Sequence, residues 1–128
     1  MQYRVAIVDD NTDDIFTIKR LLSKADNKYI IFDYTNPEEA LLEFANTSID
    51  CIFLDYNFPE MNGLEFIQKF RNKQKNDTPI ILLTGQGNEQ IAALSFKNGA
   101  FDYIIKGEIT TELLKISIIK AIEKAKLQ

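Results

Sequence analysis

Three acids, a hydroxyl and an amine stand where short apolar runs end. Asp55 follows Ile52-Phe53-Leu54 and opens a loop, Tyr56-Asn57-Phe58-Pro59-Glu60-Met61-Asn62-Gly63. Asp9 and Asp10 follow Val5-Ala6-Ile7-Val8, Thr84 follows Ile80 to Leu83, and Lys106 follows Tyr103 to Ile105. Hard oxygen ligands with few protein donors suit Mg2+, which wants octahedral geometry and keeps several waters. Such an ion would neutralise phosphoryl oxygens while Asp55 attacks as a carboxylate nucleophile, giving an aspartyl phosphate. Lys106 would then stabilise the charge developing on the transferred group, and Thr84 would hydrogen-bond it. Each residue alone has a plainer reading. An Asp-Asp pair caps a helix, a strand-end acid bonds to loop amides, Lys106 is a solvated lysine, and Thr84-Gly85 is a turn. Asn11, Asp13 and Asp14 crowd the Asp9-Asp10 loop, however, and like charges so close repel unless a cation is present. Acids also exclude a phosphate cradle for a flavin there, which needs small residues and bare N–H groups. The set, in this order, is specific where its members are not.

The elements that must position these residues alternate along the chain. Apolar runs at Val5 to Val8, Tyr29 to Tyr34, Cys51 to Leu54, Ile80 to Leu83 and Tyr103 to Ile105 have the length and Ile/Val/Phe content of strands. Between them Ile15, Ile18, Leu22 and Ala25 recur at helical spacing after Asn11 or Thr12 as N-cap. Pro37 opens a second helix. Gly63 to about Lys73 and Asn88 to Asn98 give two more, the latter closed by Gly99 as a left-handed C-cap. Ile109 to Lys126 is the fifth. Five βα repeats predict a doubly wound parallel sheet with helices on both faces and right-handed crossovers. In such a sheet the carboxyl ends of the strands share one edge, where these folds bind ligands.

Composition narrows the function. The chain has 128 residues, 45% of them hydrophobic and 27% charged, as expected of one domain that needs no disulfide or metal staple. Its net charge of −4, with no long basic run, offers no footprint for direct nucleic-acid binding. Nothing in it reaches the length of a membrane span or resembles a signal peptide, so a cytoplasmic setting is expected. Cys51, the single cysteine, reads as a small buried hydrophobe. With no histidine, the chain has no imidazole catalyst and is not itself a phosphohistidine donor.

From about Arg4 to Lys124 the sequence resembles the receiver (response-regulator) domain of two-component signalling, of the chemotaxis-regulator kind. The resemblance is carried by Val8-Asp9-Asp10, by Leu54-Asp55 with Pro59 and Gly63, by Leu83-Thr84-Gly85, and by Gly99 to Lys106 (Gly-Ala-Phe-Asp-Tyr-Ile-Ile-Lys). It implies a flavodoxin-like sandwich with strand order 2-1-3-4-5, the order for which a receiver is a standard illustration. It also implies Asp55 as phosphoacceptor, Asp10 touching Mg2+ directly and Asp9 through water, and the backbone carbonyl of Asn57 completing the metal shell. Thr84 and Lys106 take the hydroxyl and lysine positions, and Thr84 with Tyr103 the switch positions. The implied donor is a histidine kinase or histidine phosphotransfer protein. The implied receiver of the signal is a downstream protein or an effector domain missing from residues 1–128, which read as one receiver domain without an output domain. Asn57 and Gln86, two residues past Asp55 and Thr84, would tune the lifetime of the phosphoryl group by orienting water. One departure stands out: Gly107 follows Lys106 where receivers usually place a proline after a cis peptide. A cis bond before a non-proline residue costs ~2.5–4 kcal/mol, so a trans or more mobile loop is expected.

Two other readings of the same residues stay open at this level. A Mg2+-dependent phosphatase of the haloacid-dehalogenase type would use Asp55 as nucleophile, but it wants a second acid where Asn57 stands. A degenerate receiver that only binds a partner would rest on Gly107 alone. In the last helix Leu114, Ile118, Ala121, Ile122 and Ala125 form the stripe that covers the sheet. Leu113, Ile116 and Ile119 fall off it. They either pack sideways against the first or fourth helix or form a face for partner binding or a homodimer.

Overall fold

The computed structural model of the chain describes residues 2–25, 28–74, 77–85 and 89–127. Its elements are β1 (Gln2–Val8), α1 (Thr12–Ser23), β2 (Lys28–Tyr34), α2 (Pro37–Phe44), β3 (Cys51–Asp55), α3 (Gly63–Gln74), β4 (Ile80–Thr84), α4 (Glu89–Lys97), β5 (Asp102–Ile105) and α5 (Thr111–Lys126). A 3-10 turn at Lys106–Glu108 joins β5 to α5. The strands are parallel and lie in the order β2-β1-β3-β4-β5, as expected. None of the described helices is long and apolar enough to cross a membrane.

Strand alternation sorts the apolar residues into two layers. Val5 and Ile7 of β1 face the layer under α1 and α5, with Ile15, Ile18, Leu114 and Ile118. Ala6 and Val8 face the layer under α2 and α3, with Leu41, Phe44, Phe66 and Phe70. Phe44 meets Tyr34, Phe66 and Phe70 edge-on at centroid distances of 5.3, 6.4 and 5.9 Å, the arrangement ring quadrupoles favour. Every residue of β3 and β4 is buried, as strands covered on both faces are. Cys51 is among them, a free thiol whose pKa burial pushes up.

Side chains set where the helices begin. Asn11 accepts from the Asp13 and Asp14 amides at 2.9 and 3.2 Å, and Asn36 accepts from those of Glu38 and Glu39 ahead of Pro37. Asn62 and Glu65 cap α3 reciprocally, at 2.9 and 3.3 Å. At the end of α4, Gly99 has φ 101°. The Ala100 amide reaches Ser95 O at 2.9 Å and the Gly99 amide reaches Phe96 O at 3.1 Å, a Schellman closure that needs the left-handed residue.

Element boundaries moved where backbone pairing or capping outweighed the apolar pattern. β1 begins at Gln2, not Val5, because Gln2 to Arg4 pair with Lys28 to Ile30 of β2. β5 begins at Asp102, opposite Ile81. α5 begins at Thr111 rather than Ile109, since Thr110 caps it through the Leu113 amide at 3.0 Å. Asn88, the expected start of the fourth helix, and Gln86 lie outside the described residues. On α5 the predicted stripe is buried at Leu114, Ile118, Ala121 and Ile122. Of the off-stripe residues, Leu113 is half-buried against the α1/α5 layer, Ile119 is half-buried, and Ile116 is exposed. Sideways packing therefore accounts for part of that set and leaves Ile116 in solvent.

Candidate functional site

The carboxyl ends of β1, β3, β4 and β5 meet on one edge, and pairing continues past them. The Asp9 amide donates to Tyr34 O at 3.0 Å and the Tyr56 amide to Leu83 O at 2.9 Å. The residues bearing or following the acids are thus tied to neighbouring strands rather than left in free loops. Behind Asp55 the chain folds back on itself: the Gly63 amide donates to Tyr56 O, Phe58 pairs with Met61, and Asn57 bridges Asn62. A Cβ at Gly63 would lie 2.7 Å from Leu82 Cδ2 and 3.2 Å from Tyr56 Cα, so glycine lets α3 start directly beneath the acid. Thr84, buried at the end of β4, lies one residue past Leu83, the register partner of Asp55.

Asp9 and Asp55 are buried, and Asp10 is exposed at the rim. One oxygen from each of the three carboxylates lies within 4.8 Å of the others. Lys106 Nζ sits among acids, 2.9 Å from Asp9 Oδ2, 3.1 Å from Asp55 Oδ1 and 2.7 Å from Asp14 Oδ2. Burial, and then the neighbouring Asp9 charge, push the Asp55 carboxyl up to about 6. Burial likewise raises Asp9, against the pull of the Asn11 amide and Lys106. For Lys106 burial works the other way, but the hydrogen bond to Asp14 and the nearby Asp9 and Asp55 charges outweigh it and keep the amine protonated. The site therefore holds negative charge that one lysine does not fully offset.

That excess is the test of whether a cation fits. Asp9 Oδ1 accepts the Asn11 amide at 2.9 Å. Asp9 Oδ2 is buried without an aligned donor, Lys106 serving it only as a nearby charge. An ionised, fully buried oxygen left so is costly. Three carboxylates converging on it are the hard donor set that a small divalent ion takes.

The structure thus brings together Asp9, Asp10, Asp55 and Lys106, with Thr84 adjoining. Asn57 is exposed in the loop after β3, and Gln86 lies outside the described residues. Tyr103 is half-buried on β5, packed on the α2/α3 side of the sheet. Asp14 is the member the sequence did not single out. Asp13 and Asp14 are indistinguishable as residue types, and only the rotational phase of α1 turns the second toward Lys106.

The response regulator receiver domain family matches residues 5–118. The chain belongs to that family. It is 34% identical over 106 residues to the transcriptional regulatory protein SrrA of Staphylococcus aureus, covering 83% of this chain and 42% of that one. It is 30% identical over 103 residues to the cyclic di-GMP phosphodiesterase response regulator RpfG of Xanthomonas campestris, covering 80% of this chain and 27% of that one. The receiver thus spans less than half the length of these curated relatives. A response regulator receiver domain protein from Clostridium thermocellum superposes with TM-score 0.84 at 29% identity, over 98% of both chains. The chemotaxis protein CheY4 of Vibrio cholerae, at 24% identity, shares the fold with TM-score 0.81 over 94% of this chain and 99% of its own. The receiver is a phosphoacceptor of two-component signalling with an acidic pocket at Asp9, Asp10 and Asp55. Family membership sets aside the phosphatase reading of these acids.

Proposed function

We propose that Asp55 is the phosphorylated residue and that Mg2+, held by Asp9, Asp10, Asp55 and the Asn57 carbonyl, is the cofactor. The observation that carries this is the Lys106 ammonium 3.1 Å from Asp55 Oδ1, with the other two carboxylates beside it. An Asp55 oxygen attacks the phosphorus of a phosphohistidine. The P–O bond forms as the P–N bond breaks, and the electron pair leaves with the imidazole of the donor. The ion, when bound, screens charge on the phosphoryl oxygens. Lys106 and Thr84 meet the remaining oxygens, the ammonium giving up its contact with Asp55 Oδ1 for the new anion. The added charge of roughly −2 shifts an equilibrium between two surface states, with Thr84 and Tyr103 as the groups that report it. Asn57 and Gln86, two residues past Asp55 and Thr84 in sequence, are the amides that would orient hydrolytic water and set the lifetime.

The donor is a histidine kinase or histidine phosphotransfer protein in the cytoplasm, and the signal passes to a protein partner or a linked effector. Exposed Ile116 supports a self-association face on α5. Acetyl phosphate with Mg2+ tests the chemistry: mass spectrometry is expected to show one added phosphoryl group, lost in Asp55→Asn. Equal labelling of that variant overturns the assignment.

A further inference from the structure

The backbone around Lys106 is weakly held, yet its ammonium is tightly held. Strand pairing fixes β5 as far as Ile105, opposite Thr84. Past it, the turn is closed by Ile109 N to Lys106 O at 3.4 Å, long for such a bond. A Cβ at Gly107 would meet nothing within 4 Å, so packing does not clamp residue 107 either. A lysine stem with its many rotamers, rooted in such a turn, would sweep a wide volume unless its tip were fixed. Asp14 Oδ2 accepts a hydrogen bond from Nζ at 2.7 Å across 92 residues of sequence. Asp14 is a rigid anchor: its amide is bonded to Asn11 Oδ1 in the first turn of α1, and Ile15 and Ile18 seat that helix in the core.

We infer that Asp14 is a positioning residue, holding the Lys106 ammonium beside Asp55. Asp9 and Asp55 also lie near the ammonium, but both belong to the acidic triad and are drawn on by an incoming cation or phosphoryl group. Asp14 lies outside that triad, with a third of its side chain in solvent. It remains available to Lys106 throughout. A side-chain tether at Asp14 thereby does what backbone rigidity after Lys106 would otherwise do. The role rests on Asp55 being the acceptor.

Two readouts separate the tether from that reading. First, the labelling rate with acetyl phosphate and Mg2+ is measured for the full chain, for Asp14→Ala and Asp14→Glu, and for both changes in a Lys106→Ala background. Asp14→Ala is expected to slow labelling about tenfold at saturating donor, without raising the donor concentration for half-saturation. Asp14→Glu should recover part of the rate, and neither change should matter once Lys106 is gone. Second, the Lys106 ammonium is followed by 1H–15N NMR at low temperature. It should be a slowly exchanging signal in the parent that vanishes in Asp14→Ala. An unchanged signal and rate in Asp14→Ala, or an equal loss of rate in both Lys106 backgrounds, overturns the inference. An Asp14-dependent ammonium signal in a chain that takes no phosphoryl group upholds the tether and overturns the reading of Asp55.

Discussion

Two of the helices that follow the site's strands, α1 and α4, are anchored very differently. α1 leaves β1 through Asp9 and Asn11, which share an amide-to-carboxylate bond of 2.9 Å, and it buries Ile15, Ile18 and Leu22. α4 follows Thr84 and buries only Ser95 among its described residues, leaving Leu94 45% and Phe96 50% exposed. The acids that would hold a cation thus stand on a stiff junction, whereas the hydroxyl that would meet the phosphoryl group leads into a lightly seated helix. A site with one fixed half and one loosely packed half binds its ion in place and lets the other half respond. The predictions below, largest effect first, are chosen to break that contrast.

Removing the fixed half should abolish function outright. Asp10→Ala, or EDTA with the parent chain, is expected to eliminate labelling by acetyl phosphate within detection by mass spectrometry. Asp9→Ala should weaken it, and Thr84→Ala should slow it by only about tenfold. If Thr84→Ala proved as damaging as Asp10→Ala, the two halves would not differ in the way described.

Charge crowding should also appear as instability. The ordinary carboxyl value is 3.8 and Asp55 is raised to about 6. Between those values the folded chain binds more protons than the unfolded chain. Metal-free stability therefore falls as pH rises across that window and stays low above it. At neutral pH in EDTA, Asp55→Asn is expected to stabilise the fold by on the order of 1–3 kcal/mol and to flatten the slope between pH 4 and 6, which urea melts at several pH values will show. Equal stabilities at pH 7 would mean that Lys106 already offsets the burial.

Much of this arrangement was legible in the sequence because it depends on short-range rules. Apolar runs ending in polar residues marked the strand ends, and Asn11, Pro37 and Gly99 marked helix boundaries through the chemistry of single residues. What escaped depended on long-range geometry. The Lys106–Asp14 bond needs the phase of α1, and the start of β1 at Gln2 needs a partner strand. The off-stripe residues of α5 divided according to what they meet, with Leu113 packed against the core layer beneath α1 and α5 and Ile116 left out. Periodicity places residues on a face but does not say what lies beyond its margin.

Hydrogen exchange tests the contrast without chemistry. Amides of α4 are expected to exchange at least about tenfold faster than those of α1, and loading with a phosphoryl group should slow α4 more than α1. Equal protection in the two helices would show that α4 is held by more than its buried Ser95.

The smallest effect concerns the glycine after Lys106. A glycine demanded by conformation or close packing costs stability when replaced, as Gly99→Ala should through its φ of 101°. At Gly107 neither condition holds: its φ is not in the left-handed region, and a Cβ there meets nothing within 4 Å. Gly107→Ala should therefore stabilise the chain by about 0.4–1 kcal/mol, by narrowing the unfolded ensemble. It should leave the labelling rate within about twofold of the parent, because Lys106 is held at its tip by Asp14 rather than at its root. Urea melts and acetyl phosphate labelling of the same preparation measure both numbers. A large loss of rate without a loss of stability would place control of Lys106 in the turn and not in α1.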